Sequence, residues 1–221
     1  MPYGEGATIP LVLGDRQQSR KSLGLIHDQY TKQMTDGTKE KFVMTLQRYC
    51  PQCGHELEMR RVDGADRQTC TQTNCDYVHW DNPVPVVAGV IVHKNGLLLA
   101  RNRLWPLGRF SLITGYVDRQ ESPQNAVRRE LHEELGLTAD SVRFIGHYLF
   151  NEKNQLIIAY ALEAHGELKL GEEIAELRSV PINALVHYDF SPFEITRAIV
   201  HDWLTSATDL TPTPRTPGCR E

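Results

Sequence analysis

Three glutamates lie within one five-residue window of the sequence. Glu130, Glu133 and Glu134 fall in the segment RRELHEELGL, where they occupy positions i, i+3 and i+4. On an α-helix these positions share one face, so the three like charges repel one another. A solvated structural helix would normally alternate glutamate with lysine or arginine at this spacing. The clustering is explained if the face binds divalent cations, and carboxylate oxygens suit Mg²⁺ that is shared with substrate phosphates.

Four of the five cysteines form two spaced pairs. Cys50 and Cys53 give C-x2-C, Cys70 and Cys75 give C-x4-C, and sixteen residues separate the pairs. Zinc takes four such thiolates in a tetrahedron, and no open position is then left for catalysis. The pattern therefore predicts a structural zinc ribbon, in preference to fortuitous pairs or redox-active thiols. The loop between the pairs mixes charges evenly, which favours a scaffold over a grip on RNA, and Cys219 is predicted to be a free thiol.

The glutamates need a helix with defined ends, and the sequence provides one. Ser122 is an N-cap candidate followed by proline, and Gly136 supplies the stop, which predicts a helix that ends at Leu135. Glu121 precedes this helix and is well placed to engage Arg129, which would fix the loop against the helix. The predicted buried stripe consists of Ala126, Val127, Leu131 and Leu135.

Strand-like runs surround this helix. The first two runs meet at KNG, which is a good hairpin signal. The predicted strands are VPVVAGVIVH, GLLLAR, FSLIT, SVRFIGHYLF and NQLIIAYALEAHG. The predicted closing helices are PINALV and PFEITRAIVHDWL.

Composition and charge limit the classes of protein to be considered. The 221 residues suffice for one ordinary domain plus a small appendage, or for two small domains. The apolar fraction of 40%, the charged fraction of 24% and the net charge of −4 are typical of a soluble globular protein without general attraction to nucleic acid or membranes. There is no run of about 18 apolar residues, and the apolar core near the N-terminus is too short for a signal peptide. A cytoplasmic location is the default.

Four regions are predicted along the chain. Residues 1–45 are polar and weakly periodic, which predicts a flexible N-terminal segment; alternatively, Met44 is the true start and an extension precedes it. Residues 46–82 form the zinc ribbon and residues 83–204 form the main domain. The Thr/Pro-rich residues 205–221 predict a disordered tail.

The segment that begins at Gly115 resembles the signature of the Nudix hydrolase family, Gly-x5-Glu-x7-Arg-Glu-apolar-x-Glu-Glu-x-Gly-apolar. The matching residues are Gly115, Glu121, Arg129, Glu130, Leu131, Glu133, Glu134, Gly136 and Leu137. The resemblance implies an α+β fold, namely a Nudix-type α/β/α sandwich with a mixed sheet, preceded here by the small zinc ribbon. It also implies attack of water on a phosphoanhydride with the help of Mg²⁺ or Mn²⁺.

The resemblance also implies roles for individual residues. It assigns catalysis and metal binding to Glu130, Glu133 and Glu134 on one helix face. It also gives the carbonyl oxygen of Gly115 as a metal ligand. Arg129 is counted with the catalytic residues. Family members often carry a further glutamate ahead of a later strand, and in LGEEIAELRSV the closest match is Glu176, with Glu173 as runner-up. The alternative for Glu176 is a solvated loop charge.

A ribbon directly before this domain is similar to the NADH pyrophosphatase group and to a related group that acts on flavin and other dinucleotides. The stretches DNPVPVVAGVIVHKNGLLLARN and GYVDRQES carry the likeness to the first group. Tyr116 would then replace an aromatic residue that stacks on a base, or pack beneath the loop. Arg101, Arg103 and Arg109 flank the expected mouth of the site, either as phosphate ligands or as solvated strand-end charges. Trp105 is either a further stacking residue or a cover for the core.

The chain departs from that group in two places. The NADH pyrophosphatases carry SQPWPFP after the signature helix, whereas GHYLFNEKNQLIIAY occupies this region here, so a preference for reduced nicotinamide is not predicted. In addition, DRQE replaces EPGE, and Gln120 stands where a glycine is usual. Gln120 must therefore adopt either an ordinary or a strained backbone conformation.

The leading hypothesis is a Mg²⁺- or Mn²⁺-dependent pyrophosphohydrolase that cleaves a nucleoside diphosphate linked to another group, such as NAD(H), ADP-ribose or FAD. One alternative is a nucleotide-sensing binding module, although such proteins tend to lose signature carboxylates. The other is an RNA-processing Nudix protein, which the acidic balance disfavours. The expected partner is a small-molecule nucleotide, not a membrane or a nucleic acid, and a homodimer is expected from the resemblance.

Overall fold

A computed structural model describes residues 47–208 of the chain. The predicted flexible segment 1–45 and the part of the predicted tail from residue 209 onward lie outside the described residues. Within residues 47–208, no helix is both long and apolar enough to cross a lipid bilayer.

A small three-stranded sheet comes first in the described part of the chain. It consists of β1 (Leu57–Val62), β2 (Ala65–Cys70) and β3 (Val78–His79), with antiparallel pairing throughout. The register places Leu57 opposite Cys70, so the end of β2 returns beside the start of β1. Two cysteine-bearing loops therefore meet at one end of this sheet.

The second sheet is mixed, as predicted. Its order is β7-β8-β4-β5-β9, and β6 pairs with β4 off this path. The β4–β8 pair is parallel and the other pairs are antiparallel. The strands are β4 (Val84–His93), β5 (Gly96–Asn102), β6 (Ile113–Tyr116), β7 (Thr138–Phe150), β8 (Gln155–His165) and β9 (Ile174–Pro181).

One helix covers each face of this sheet. Helix α1 (Pro123–Leu135) buries all four residues of its predicted stripe against one face, among side chains such as Val87 and Ile91. Helix α2 (Glu194–Thr208) buries Trp203 and its apolar neighbours against the other face. Short 3₁₀ helices occupy Asn151–Lys153 and Ile182–His187. The α/β/α sandwich expected from the resemblance is confirmed.

The KNG hairpin is confirmed by its backbone. Lys94 and Asn95 both have positive φ, at 48° and 65°. This is the conformation of a two-residue turn whose twist matches that of the flanking strands. Gly96 follows because a Cβ at this position would lie 2.2 Å from Ser179 Oγ of β9.

Four details differ from the sequence prediction. The strand predicted in FSLIT is displaced, because only Ile113–Tyr116 pairs with β4. Strand β9 was missed, since most of its residues are exposed on an edge of the sheet and show no period-two pattern. PINALV lies in a 3₁₀ helix, not an α-helix. Helix α2 begins two residues later and ends four residues later than the predicted helix PFEITRAIVHDWL.

The displacement of β6 opens a gap in the sheet. Strands β5 and β6 share one edge of β4, since Val92 of β4 pairs with β5 while residues 86–89 of β4 pair with β6. In the described residues, β5 and β6 do not pair with each other, and Ala100 of β5 forms a bridge with Ser111, two residues before β6 begins. Beyond this bridge the two strands diverge, and we call the gap between them the β5–β6 split.

Candidate active site and zinc centre

Helix α1 has the predicted ends, which fix where its glutamates lie. Ser122 Oγ accepts a hydrogen bond from the backbone N–H of Asn125 at 3.2 Å, which satisfies one of the free amides of the first turn. Gly136 closes the helix in the left-handed conformation at φ 68°, and its N–H donates to His132. The three signature glutamates therefore share one face, as predicted.

Gly115 is a glycine because the side chain of Glu130 occupies the space beside it. A Cβ added to Gly115 would lie 2.0 Å from both Cδ and Oε1 of Glu130. Pairing of Gly115 with Val87 fixes this part of β6 on the central strand. The carboxylate of Glu130 is thus pressed directly against the backbone of β6, and its side chain is only 12% exposed.

Arg129 braces the segment between β6 and α1. Its Nε and one terminal nitrogen donate to the two oxygens of Glu121, each at 3.0 Å, which confirms the predicted contact. The same guanidinium donates to Glu130 Oε1 at 2.6 Å, to Glu133 Oε2 at 3.3 Å and to the carbonyl oxygen of Tyr116 at 3.0 Å. The hydrogen bond from Arg129 lowers the pKa of Glu121. Arg129 therefore positions other groups, instead of presenting its own charge to a ligand.

Of the two backbone conformations that were predicted for Gln120, the structure shows the strained one. Its φ is 66°, in the left-handed region that favours glycine. The turn is held on both sides, because Glu121 N donates to Asp118 O at 3.1 Å and Asp118 N donates to Glu121 Oε2 at 3.2 Å. The Glu121–Arg129 contact thus maintains the loop without the glycine that is usual at this position.

Replacing Gln120 with glycine is expected to stabilise the protein. Removal of the side chain relieves roughly 1–2 kcal/mol of left-handed strain and costs about 0.5–1 kcal/mol in chain entropy, which leaves a small net gain. Thermal unfolding followed by circular dichroism should show a melting temperature raised by about 1–3 °C. Arg119→Gly is the matched control, since its φ is not positive and the substitution should lower the melting temperature. A decrease for Gln120→Gly of the same size would contradict the strain.

Four carboxylates lie next to this loop, and we call them the carboxylate cluster. Glu130 and Glu133 both contact Arg129, and Glu134 and Glu173 line one cavity. Burial raises the pKa of Glu134 to about 8, and the negative charges of Glu130, Glu173 and Glu133 add to the effect. Burial also raises the pKa of Glu130, against the hydrogen bond from Arg129. Repulsion of this kind is removed when divalent cations bind, and oxygen donors are the ligands that Mg²⁺ and Mn²⁺ prefer. The chemistry of these donors therefore suits the predicted cation, although within the described residues it is the four cysteines, and not the glutamates, whose ligand atoms all lie within 4.8 Å of one another.

Glu173 belongs to this cluster because its loop is attached to the end of α1. Gly171 N donates to the carbonyl oxygen of Glu134 at 2.8 Å, and Lys169 N donates to that of Leu135 at 2.8 Å. These bonds satisfy carbonyl groups that a helix end leaves without a partner. A Cβ on Gly171 would lie 2.7 Å from Glu133 O, so the contact is close. Glu173 is fixed from the other side, since its carbonyl oxygen accepts from Arg103 N at 2.9 Å.

Glu176, the first choice from the sequence, does not join the cluster. It pairs across the strands with Arg101, whose Nε lies 3.2 Å from Glu176 Oε2. Arg101 also donates to the backbone oxygen of Trp105 at 3.3 Å. Of the two candidates from the sequence, the structure thus places the runner-up, Glu173, and not Glu176, beside Glu134. The difference arises because β9 begins at Ile174, which leaves Glu173 as the last loop residue and Glu176 within the edge strand.

The other predicted substrate-binding residues lie apart from the carboxylates. Arg109 donates to the backbone oxygen of Ser191 at 3.0 Å. Tyr116 follows Gly115 on β6, and because side chains alternate along a strand its ring lies on the opposite face of the sheet from Glu130. This ring is 42% exposed, and its hydroxyl accepts from Gln155 Nε2 at 3.1 Å. An exposed ring favours the stacking interpretation over packing beneath the loop.

A small cavity of about 80 Å³ lies in the β5–β6 split next to Glu134 and Glu173. Among its lining residues, Asn102 and Thr114 carry no motif that sequence reasoning could have used. Trp105 was predicted either to stack on a base or to cover the core. Its position in the wall of this cavity depends on the conformation of the loop between β5 and β6. The cavity is lined by Ala100, Asn102, Trp105, Leu112, Ile113, Thr114, Glu134, Glu173 and Ile174.

The four predicted zinc ligands meet at one point. Their sulfur atoms all lie within 4.8 Å of one another, with Cys50 and Cys75 at 3.8 Å and Cys53 and Cys70 at 3.3 Å. A tetrahedral zinc with bonds of 2.3 Å would hold its sulfurs about 3.8 Å apart, so the thiols fit the ion. Two backbone bonds of 2.7 and 2.8 Å, from Cys50 N to His55 O and from Gly54 N to Cys50 O, close the first cysteine loop.

Comparison with known proteins supports both parts of this arrangement. Residues 83–203 match the family model described as NUDIX domain, and residues 48–81 match that described as Nudix N-terminal. Among solved structures, a NUDIX hydrolase from Nitrosomonas europaea superposes with a TM-score of 0.60 at 20% identity, covering 73% of this chain and 93% of its own. That likeness concerns the fold.

The curated relatives match this chain over only part of their own length. The NAD-capped RNA hydrolase NUDT12 of Homo sapiens is 28% identical over 141 residues, which are 59% of this chain and 30% of that protein. The NAD-capped RNA hydrolase NudC of Vibrio vulnificus is 27% identical over 123 residues, 55% of this chain and 46% of that protein. The mitochondrial NAD(P)H pyrophosphatase NUDT13 of Homo sapiens is 26% identical over 133 residues, 59% of this chain and 37% of that protein. The chain thus spans less than half the length of each of these three relatives.

The domain match covers just over half of the chain and contains the whole signature as well as Glu173. The ribbon match contains the four clustered cysteines. The chain therefore belongs to the Nudix hydrolase family, and the predicted cofactors, Mg²⁺ or Mn²⁺ together with a structural Zn²⁺, are those of its domain and its ribbon.

Proposed function

We propose that the protein is a Mg²⁺- or Mn²⁺-dependent pyrophosphohydrolase that cleaves the diphosphate between a nucleoside and a second group, as in NAD(H), ADP-ribose or FAD. The observation that carries the proposal is the cluster of four carboxylates at the edge of the β5–β6 split. A nucleotide-sensing module would have no need to hold this much negative charge together. All the signature carboxylates are retained, which supports an enzyme.

The metal ligands that we propose are those on α1 and β6. Glu130, Glu133 and Glu134, with the carbonyl oxygen of Gly115, would hold the cations. Bound divalent cations would neutralise the diphosphate and lower the pKa of the attacking water. Arg129 keeps the ligands in place, because it bonds to Glu130, to Glu133 and to the backbone of Tyr116.

Glu173 is the general base that we propose. It lies close enough to Glu134 to raise that residue's pKa, yet it belongs to a different segment and is more exposed. The loop holds Glu173 through its backbone, so the carboxylate itself is left to accept the proton of the attacking water. Glu176 cannot take this role as readily, because Arg101 engages its carboxylate.

NAD-linked diphosphates are the substrates that we favour. Three relatives are named for NAD-capped RNA or for NAD(P)H, and this supports a diphosphate with nicotinamide on one side. NAD-capped RNA is accordingly a second candidate, although no nucleic-acid partner was expected from the charge. We further propose a cytoplasmic location, in keeping with zinc thiolates in a reducing compartment, and a homodimer by resemblance to the family.

Two substitutions test the assignment of the base. Glu173→Gln is expected to lower kcat roughly 10²-fold, because an amide cannot accept the proton. Glu176→Gln is its matched control and should keep kcat within about threefold. The measurement is Mg²⁺- and Mn²⁺-dependent release of nucleoside monophosphate from NAD, NADH, ADP-ribose, FAD and NAD-capped RNA. A larger loss of kcat in Glu176→Gln would restore the sequence-based choice, and no turnover of any of these compounds by the wild type would refute the pyrophosphohydrolase.

A further inference from the structure

The cavity in the β5–β6 split is too small for a whole substrate. Its volume of about 80 Å³ has room for a few water molecules or a hydrated cation. Glu134 and Glu173 line this cavity, so a diphosphate that reaches them brings its attached groups against the other lining residues. The identity of those residues decides which attached groups are accepted.

One wall is aromatic and belongs to the loop between β5 and β6. Trp105 is half-buried and lines the cavity together with Glu134 and Glu173. Its indole ring also packs against Phe193, with 4.8 Å between ring centroids and an angle of 35° between the planes. The ring is thus supported from behind by the segment that precedes α2.

The backbone around Trp105 is held at several points. Trp105 N donates to Asn102 O at 3.0 Å, and Trp105 O accepts from Arg101. Arg101 is oriented in turn by its ion pair with Glu176. At the other end of the loop, Arg109 donates to Ser191 O, which lies in the same segment as Phe193. Three residues first considered for catalysis or phosphate binding are thus used to hold this loop.

We infer that Trp105 is a specificity-determining residue that stacks on a planar heteroaromatic ring of the substrate, at one end of the diphosphate. The inference rests on the proposed function and adds the group that is recognised. Indole offers a large rigid surface, and base–aromatic stacking is sequence-tolerant because every base presents a π-face. Arg101 and Glu176 are positioning residues for this wall. Leu104 lies in the same loop but is 69% exposed.

Steady-state kinetics of Trp105→Ala test the inference. Removal of a stacking ring costs about 5- to 100-fold in affinity, so the KM for NAD should rise by this factor while kcat stays within about threefold. The KM for P1,P2-dimethyl diphosphate, which has the same phosphoanhydride and no ring, should not change. Trp105→Phe should keep the KM for NAD within about threefold, and Leu104→Ala is the matched control that should leave it unchanged. Should alanine destabilise the fold, Trp105→Leu keeps apolar volume without an aromatic ring.

Tryptophan fluorescence without divalent cation separates this inference from the proposed function. NAD should quench the wild type and not Trp105→Phe. Quenching in a wild type that turns over no diphosphate would refute the proposed function and support the stacking wall. Turnover with an unchanged KM for NAD in Trp105→Ala would overturn the stacking wall and leave the proposed function intact. Equal quenching by NAD in the wild type and in Trp105→Phe would have the same meaning.

Discussion

Replacing Gly115 with alanine is expected to lower kcat/KM about 10³-fold, the size of effect seen when one essential electrostatic contact is removed. A single methyl group has this consequence because it would lie 2.0 Å from the carboxylate of Glu130, and one of the two must move. The backbone of Gly115 has an ordinary φ, so alanine introduces no conformational strain of its own. The expected damage is therefore to the position of Glu130 and to cation binding, which titration with Mn²⁺ can measure separately from turnover.

A double-mutant cycle distinguishes this effect from general destabilisation. If Gly115→Ala acts through Glu130, it should add little loss to Glu130→Gln, because the displaced carboxylate is already gone. Gly146→Ala is the matched control in the same sheet, where the new Cβ would meet only the end of the Tyr148 side chain at 3.2 Å. Additive losses in the cycle, or an equal loss in Gly146→Ala, would contradict the steric account.

Replacing Cys50 with serine is expected to remove the structural zinc and unfold the ribbon. The sulfur of Cys50 is one of four within 4.8 Å, and the residue is 2% exposed, so serine leaves an incomplete and poorly hydrated site. Structural zinc sites of this type contribute about 10–16 kcal/mol of apparent binding energy, which is as large as the whole stability of a typical domain, about 5–15 kcal/mol. The small sheet has few apolar residues with which to compensate for the loss.

Metal analysis and thermal unfolding measure this outcome. The wild type should contain one zinc per chain and Cys50→Ser none, with loss of the unfolding transition of the ribbon. Cys219→Ser is the natural control, since the fifth cysteine lies outside the described residues and is not among the four clustered thiols. Stoichiometric zinc in purified Cys50→Ser would refute the four-cysteine site.

The elements with strong local signals were predicted from the sequence almost to the residue. Helix α1 has its cap at Ser122 and its stop at Gly136, because both ends are set by side chains or glycines adjacent in sequence. The β4–β5 hairpin was equally clear, since its turn requires two residues with positive φ and KNG supplies them. The cysteine spacing likewise predicted which four thiols meet.

Features that depend on distant contacts could not be predicted in this way. Glu173 and Glu176 are three positions apart in an acidic stretch, and backbone hydrogen bonds from Lys169 and Gly171 to the end of α1 hold the loop that carries Glu173. Strand β9 is an exposed edge that lacks an alternating pattern. The start of β6 depends on β4, since Ser111 joins β5 instead.

The divergence of β5 from β6 has a consequence for how such a protein can change. The metal ligands that we propose come from α1 and from the backbone of β6, while the aromatic wall that we infer belongs to the loop between β5 and β6. Residues 104–108, which lie between the contacts of Arg103 with Glu173 and of Arg109 with Ser191, can therefore be exchanged without altering the helix or the central strands. Reaction chemistry and substrate choice are encoded in separate stretches of the chain, so each can evolve, or be redesigned, independently of the other.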